Sequence, residues 1–263
     1  GQTVSSITAT SPGTYSVTVT QDNGCTSTAS ATVVTDIGTP TVSPTTSNTL
    51  TCTQSTTTLS AGATASGSNT VTGYLWSPGG QTTSSITASG AGTYNVTVTQ
   101  SNGCTATGSV TVTSNTGTPS LSASSSNDLS CSMASSTLSA SATASGSNTI
   151  TGYLWSPGGQ TTSSFTATSA GTYTVTVTQS NGCTATTSTT VTSNSTSPTV
   201  TPTVSNIIIP GQPTATVSAG ATASSGNTIT GYLWSPGGQT TSSITVSAAG
   251  TYTVIVTQSN GCT

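Results

Sequence analysis

The chain has 263 residues with no Lys, Arg or His, and its only acidic residues are Asp22, Asp36 and Asp128, which gives a net charge of −3. Without cations the chain cannot neutralise phosphates, so we expect no nucleic-acid partner and no membrane docking or insertion. Without His, Glu or Lys no Ser has an ordinary general base, and the Cys spacing is not of the zinc-binding kind. We therefore expect no catalytic residue, no cofactor and no metal site.

The sequence repeats itself every 79 residues. The motif Tyr-Leu-Trp-Ser-Pro-Gly-Gly-Gln-Thr-Thr-Ser-Ser occurs three times, at Tyr74, Tyr153 and Tyr232. The motif Asn-Gly-Cys follows the same period and ends at Cys25, Cys104, Cys183 and Cys262. A fixed period of this length predicts a domain array, in which one fold is copied along the chain. The expected divisions are the C-terminal part of a preceding repeat (1–37), two whole repeats (38–116 and 117–195) and a repeat lacking its last strand (196–263), and these divisions predict a slice of a longer protein.

The repeat 38–116 reads as a series of short strands. The segment 94–99 alternates apolar and polar residues with period two, which is typical of a half-buried strand. The Asn102-Gly103 pair predicts a tight hairpin after it, since both residues tolerate positive φ. The other predicted strands are 57–61, 71–76, 85–88 and 105–113. About seven short strands in such a length predict an all-β fold, a tandem array of Ig-like or PKD-like β-sandwiches. The abundance of Ser and Thr would also suit a disordered or mucin-like stalk, but the regular apolar residues favour a folded chain.

Three Trp and three Tyr residues recur at the same position of each repeat and are predicted core residues. They are Trp76, Trp155 and Trp234, with Tyr94, Tyr173 and Tyr252. Ig-like folds bury a Trp on a central strand, and Gly92-Thr93-Tyr94 resembles a tyrosine corner, in which the phenol bonds back to the chain. The alternative for Trp76 is an exposed aromatic platform for a sugar.

The six cysteines predict two disulfides, Cys52–Cys104 and Cys131–Cys183, each within one repeat. Such a cross-link stabilises a small domain by about 4 kcal/mol in the chain-entropy model and indicates an oxidising, extracellular setting. This pairing leaves Cys25 and Cys262 without partners. The alternative pairs, Cys25–Cys52 and Cys104–Cys131, would join neighbouring repeats, and sequence alone does not decide connectivity.

The third repeat departs from the pattern at Ile207, Ile208 and Ile209, which precede Pro210 where a cysteine would be expected. Two interpretations stay open. The three isoleucines replace a disulfide with apolar packing, or they form a contact with a neighbouring chain.

Three blocks of the repeat resemble a known group of proteins. They are Tyr-Leu-Trp-Ser-Pro-Gly-Gly, Ala-Gly-Thr-Tyr-x-Val-x-Val-Thr-Gln and Ser-Asn-Gly-Cys-Thr. Together they are similar to the PKD-like and Ig-like tandem repeats of giant surface adhesins of gliding, filamentous Bacteroidota, which the type IX system exports. PKD domains often carry Asp after the Trp, where this chain has Ser77 and Pro78. The resemblance implies a long adhesive or scaffolding fibre outside the cell and not an enzyme.

The favoured hypothesis for function is therefore structural. The chain is expected to be a repeat segment of an extracellular, cell-surface fibre that gives length and strength and serves attachment to or capture of other cells. It would assemble with like chains, side by side or head to tail, because surfaces with little charge associate readily. The alternative is an adhesive module that binds a glycan or a cell surface. A remote alternative is ice binding by exposed threonine rows, such as Thr97 and Thr99 or Thr174, Thr176 and Thr178.

Overall fold

The structure is a computed structural model that describes residues 1–263, and it contains β-strands and no helix. The chain forms two compact units, Gly1–Asn115 and Thr116–Thr263. The predicted all-β fold is confirmed. No helix is present that could cross a membrane.

The first unit begins with a hairpin, which is followed by the strands of the repeat 38–116. The hairpin consists of β1 (Gly13–Thr20) and β2 (Thr26–Val33). The strands that follow are β3 (Thr41–Val42), β4 (Thr45–Thr46), β5 (Leu50–Thr51), β6 (Thr57–Ser60), β7 (Ala63–Thr64), β8 (Val71–Ser77), β9 (Ser85–Ala88), β10 (Gly92–Gln100), β11 (Thr105–Val112) and β12 (Ser114–Asn115).

Two three-stranded sheets, β4-β6-β9 and β8-β10-β11, enclose the core of this repeat, and β3-β7 and the parallel pair β5-β12 extend them. The strict alternation of β10 places Val96 and Val98 in the interior, where each is 0% exposed. Leu59, Trp76 and Val112 complete the centre of this core. One sheet therefore presents its apolar face to the other, which is the arrangement of a β-sandwich.

The second unit contains the strands of the next two repeats. Those of 117–195 are β13 (Ser120–Ser125), β14 (Leu129–Ser130), β15 (Ser136–Thr143), β16 (Ile150–Ser156), β17 (Ser164–Ala167), β18 (Gly171–Gln179), β19 (Thr184–Val191) and β20 (Ser193–Asn194). Those of 196–263 are β21 (Thr199–Val200), β22 (Thr203–Val204), β23 (Ala215–Ser218), β24 (Ala221–Thr222), β25 (Ile229–Ser235), β26 (Ser243–Val246) and β27 (Thr253–Gln258).

Each of these repeats has its own hydrophobic core, one around Trp155 and one around Trp234. In the repeat 117–195 the sheets are β13-β15-β17 and β16-β18-β19, with β14 and β20 paired in parallel. In the repeat 196–263 the sheet β25-β27 has two strands, and no strand takes the place that β19 holds beside β18.

Of the predicted core aromatics, the three tryptophans and Tyr173 are buried, whereas Tyr94 and Tyr252 are half-buried and pack against the cores. Trp76, Trp155 and Trp234 are at most 1% exposed, and the indole nitrogen of Trp76 donates to the carbonyl of Thr83 at 3.0 Å. An indole buried in this way cannot serve as a sugar platform. The tyrosine hydroxyls bond back to the chain: Tyr94 to Gly90, Tyr173 to Ser169 and Tyr252 to Ala248.

Candidate functional site

The most distinctive site is the place where the repeats 117–195 and 196–263 meet within the second unit. We call it the joint and define it by Cys131, Ser132, Asn194, Asn260 and Cys262. Cys131 and Ser132 follow β14, and Asn194 ends β20. Because β14 and β20 are paired, all three residues lie at the same end of the sandwich 117–195. Asn260 and Cys262 belong to the turn after β27, in the repeat 196–263.

A disulfide joins Cys131 to Cys262, with 5.0 Å between their Cα atoms and a sequence separation of 131 residues. The predicted pair Cys131–Cys183 is therefore wrong, and so is the prediction that Cys262 has no partner. The bond links one repeat to the next and does not close a loop within a single sandwich.

The topology explains why the predicted pair cannot form. β14 pairs with β20, whereas Cys183 lies in the hairpin between β18 and β19. The eight residues of β19 separate that hairpin from the end where Cys131 lies. A strand of this length spans about 26 Å, while the Cα atoms of a disulfide usually lie about 4.4–6.8 Å apart. The two cysteines of a repeat thus lie at opposite ends of its sandwich.

The remaining four cysteines also test the predicted pairing. Cys25 is an exposed free thiol and Cys104 a half-buried one, whereas Cys52 and Cys183 are both disulfide-bonded. The predicted pair Cys52–Cys104 is therefore wrong, and so are the alternatives Cys25–Cys52 and Cys104–Cys131.

Backbone contacts support the disulfide. The amide nitrogen and the hydroxyl of Ser132 both donate to the carbonyl of Asn260, each at 3.3 Å. Gly261 packs against Ser132 so closely that a Cβ on Gly261 would lie 2.6 Å from the Cβ of Ser132. The turn after β27 therefore needs a glycine for its backbone, at φ +79°, and for its contact with the preceding repeat.

An amide cluster forms the other side of the joint. The side chains of Asn194 and Asn227 donate to each other, with both distances at 3.1 Å. The Asn260 side chain donates to the carbonyls of Asn194 and Thr196, at 2.9 and 3.1 Å. These bonds hold the linker between the repeats without any ion pair, which suits a chain that has no cations.

A buried glutamine anchors the same linker. Gln258 is 1% exposed, and its side-chain nitrogen donates to the carbonyl of Thr196 at 2.5 Å and to the hydroxyl of Ser224 at 2.8 Å. Its side-chain oxygen accepts from the Ser224 amide at 3.0 Å. Sequence analysis missed this residue, although Thr-Gln-Ser-Asn-Gly-Cys recurs with the 79-residue period. A Gln that recurs directly after an alternating strand is the signal that could have identified it.

The first unit contains a related arrangement around Asp36. Gln100 and Asn102 donate to the carbonyl of Gly38, as Gln258 and Asn260 do to that of Thr196. Asp36 accepts from the Asn69 side chain at 2.6 Å and from the Gly38 amide at 3.1 Å. These two hydrogen bonds, the one from Asn69 first, lower the pKa of Asp36 below its ordinary value of 3.8.

The three isoleucines of the third repeat lie away from the joint. Ile208 packs on the core around Trp234, while Ile207 is 78% exposed. Ile209 pairs with Gln212 in a small hairpin. With Val204 and Tyr252, Ile207 and Ile208 line an open groove of ≈ 330 Å³. These residues do not replace the disulfide of Cys262, which is formed with Cys131, and a contact of Ile207, Ile208 or Ile209 with a neighbouring chain stays a prediction.

The structure contains no group of three or more His, Cys, Asp or Glu side chains that could hold a metal ion. The joint contains a disulfide, amide hydrogen bonds and a close backbone contact. These interactions connect one repeat to the next.

Comparisons with known proteins concern the fold alone. No protein-family model and no curated protein matches the sequence. Among solved structures, the N-terminal eight Ig domains of Down Syndrome Cell Adhesion Molecule share 14% identity at a TM-score of 0.37, over 85% of this chain and 32% of that one. Ig domains 1–5 of Sidekick-1 share 14% identity at a TM-score of 0.28, over 90% of this chain and 57% of that one. The third structure comes from a study of how a 1.5-MDa bacterial ice-binding adhesin is retained on the host cell surface. It shares 17% identity at a TM-score of 0.37, over 84% of this chain and 87% of that one.

The chain thus spans about a third of the first of these structures and 57% of the second. These TM-scores are low, and the fold therefore rests on the strands and sheets of the chain itself, which form an all-β tandem of β-sandwiches.

Proposed function

We propose that this chain is a structural segment of a long extracellular adhesin-like array, and that the joint fixes the orientation of successive repeats. The single observation that carries the proposal is the Cys131–Cys262 disulfide. A peptide linker alone would leave the two sandwiches free to bend and rotate. A second covalent connection, beside the linker, removes most of that freedom.

The cysteines also support the location. Structural disulfides form and persist in oxidising compartments, which for most proteins means outside the cytosol. Four of the six cysteines are disulfide-bonded, so we infer an extracellular protein. The resemblance of the repeat motifs extends this proposal to a cell-surface fibre of Bacteroidota that is exported by the type IX system and attaches to other cells or surfaces.

The repeats 38–116, 117–195 and 196–263 are, in this proposal, the domains of the array. Each is small, and a small domain buries a limited fraction of its surface. A joint that combines a disulfide with half-buried amide hydrogen bonds lets neighbouring domains stabilise each other. The length of the array then sets its reach.

Small-angle X-ray scattering on the oxidised chain tests this function. We expect Cys262→Ser, which opens the joint, to broaden the distribution of interatomic distances. The control Cys25→Ser, at an exposed free thiol, should leave the curve unchanged. Identical scattering from Cys262→Ser and the unmodified chain would contradict the proposal.

A further inference from the structure

Four Asn-Gly pairs occupy the same hairpin turn in successive repeats. The asparagines are Asn23, Asn102, Asn181 and Asn260. The glycine after each of them has φ between +78° and +81°, so the four turns share one backbone conformation. A Gly after Asn has no Cβ to keep its backbone nitrogen away from the Asn side chain. Each pair therefore has the chemistry for spontaneous deamidation.

Deamidation of such a pair is a cyclisation followed by hydrolysis. The Gly nitrogen attacks the Cγ atom of Asn, and the new C–N bond closes a succinimide ring. The Cγ–Nδ2 bond breaks, and the side-chain nitrogen leaves as ammonia with the proton that the Gly nitrogen gives up. Water then opens the ring at either carbonyl and leaves aspartate or isoaspartate. The net reaction consumes water, releases ammonia and needs no catalytic side chain.

The hairpin turn favours one part of this reaction and opposes another. In the first hairpin the Asn23 side-chain oxygen accepts from the Cys25 amide at 3.0 Å. A donor at that oxygen stabilises the negative charge that develops there during the attack. The nitrogen of Gly24, however, donates to the carbonyl of Gln21 at 2.9 Å, so the turn must open before this nitrogen can attack. The other three turns have the same two bonds, and the rate then depends on how easily each turn opens.

Three of the four turns are anchored by the linker that precedes their repeat. Asn181 and Asn260 are 5% and 7% exposed, and Asn102 is half-buried. Their side-chain nitrogens donate to linker carbonyls: Asn102 to Gly38, Asn181 to Gly117 and Asn260 to Thr196. The glutamines whose carbonyls hold these turns are each 1% exposed: Gln100, Gln179 and Gln258. These contacts must break before the turn can open and the side-chain nitrogen can leave.

The turn of the first hairpin lacks these anchors. Asn23 and Gln21 are exposed, and so are all eight residues of β2. The hydrogen bond of the Asn23 side chain uses its oxygen and leaves its nitrogen available to depart. A hairpin with few buried contacts opens locally at a low free-energy cost.

We propose that Asn23 is a deamidation site, which converts to aspartate or isoaspartate in the folded chain, and that the linker contacts protect the other three asparagines. The consequence differs between the two kinds of turn. At Asn23 the new carboxylate lies in water beside Asp22. At Asn260 the same reaction would replace a donor to the Thr196 carbonyl with a charged acceptor. The hydrogen bonds that form the joint thus also protect it from chemical ageing.

Peptide mapping of the oxidised, full chain after incubation at mildly alkaline pH tests the proposal. The chain has no Lys or Arg, so chymotrypsin replaces trypsin, and tandem mass spectrometry locates each conversion. We expect Asn23 to deamidate at least tenfold faster than Asn102, Asn181 or Asn260. The rate at Asn23 should rise with pH, because the attacking nitrogen must lose its proton.

The variant Asp22→Ser provides the matched control. It gives the first turn the sequence Thr-Gln-Ser-Asn-Gly-Cys-Thr, which the other three turns already have. In the folded variant Asn23 should keep its at least tenfold preference, whereas in urea with the disulfides reduced the four rates should be equal. Equal rates in the folded variant would overturn the proposal. A preference for Asn23 that persisted in urea would also overturn it, because the fold would not be its cause.

Discussion

The Cα atoms of Cys131 and Cys262 lie 5.0 Å apart although 131 positions separate the two residues in the sequence. The disulfide therefore encloses a loop that contains most of two repeats. A chain pulled from its ends cannot extend that loop unless the bond is broken. The connection between repeats is thus also a limit on how far the array can stretch.

Force spectroscopy measures this limit directly. A fully extended residue contributes about 3.5 Å, so reduction should lengthen the unfolded chain by at least about 45 nm. The oxidised chain should show the shorter extension in every trace. Equal extensions before and after reduction would be incompatible with the bond.

Thiol mapping provides a chemical check. Cys25 and Cys104 are the free thiols, exposed and half-buried respectively. Under native, non-reducing conditions we expect iodoacetamide to label these two residues, Cys25 faster than Cys104. Mass spectrometry of the unreduced digest should contain a peptide pair linked through Cys131 and Cys262. A pair linked through Cys131 and Cys183 would instead support a disulfide within a single repeat.

The sequence predicts the interior of each sandwich well. The period-two pattern places β10 correctly, and the predicted strand 85–88 coincides with β9. The reason is local: alternation and turn residues determine which face of a strand is buried. The two-residue strands, such as β5 and β12, carry no such pattern and were not predicted.

The joint could not be predicted in the same way. The cysteine pairing depends on which end of each sandwich carries a cysteine. The parallel pairing of β14 with β20 places Cys131 at one end of its sandwich. Parallel strands are distant in sequence, so no local pattern reveals them. Gln258 was missed for a related reason, since a polar residue at the end of a strand looks solvent-exposed until the linker that covers it is known.

Gly261 offers a test of the close contact with Ser132. An alanine there would be strained at φ +79° and would also place its Cβ 2.6 Å from that of Ser132. The matched control is Gly103→Ala, at φ +81° with no atom within 4 Å of the added Cβ. The control should lose about 1–2 kcal/mol from strain alone, and Gly261→Ala about 1–3 kcal/mol more from overpacking.

Urea unfolding followed by Trp fluorescence measures both losses. The yield of the Cys131–Cys262 bond after oxidative refolding gives a second readout, which should fall only for Gly261→Ala. Equal effects of the two substitutions on stability and on this yield would show that the contact with Ser132 does not matter.

Gln258 should not tolerate a carboxylate. In Gln258→Glu the donor to the Thr196 carbonyl becomes an acceptor, and a charge enters a site that is 1% exposed. We expect a loss of about 2–4 kcal/mol at pH 7. Burial raises the pKa of such a carboxyl, so the loss should shrink as the pH falls and the group is protonated. Gln54→Glu, at an exposed position, is the control and should change the urea midpoint little at either pH.

Asp36 should make the first unit sensitive to acid. Its pKa is lowered below 3.8 by the hydrogen bonds from Asn69 and Gly38. A lowered pKa in the folded state means that the carboxylate stabilises the fold above the unfolded pKa, and that this stabilisation disappears as the pH falls through the folded pKa. The free energy of unfolding of the unmodified chain should thus fall below about pH 4.

The variant Asp36→Asn isolates this effect. An amide at position 36 can pair with Asn69 as Asn194 pairs with Asn227 in the second unit. We therefore expect Asp36→Asn to retain the fold and to remove the loss of stability in acid, whereas Asp22→Asn, in the exposed turn of the first hairpin, should leave that loss in place. Urea midpoints at several pH values between 2 and 7 measure the difference. If Asp36→Asn and Asp22→Asn lost equal stability in acid, the Asp36 carboxylate would not be the cause of the acid sensitivity.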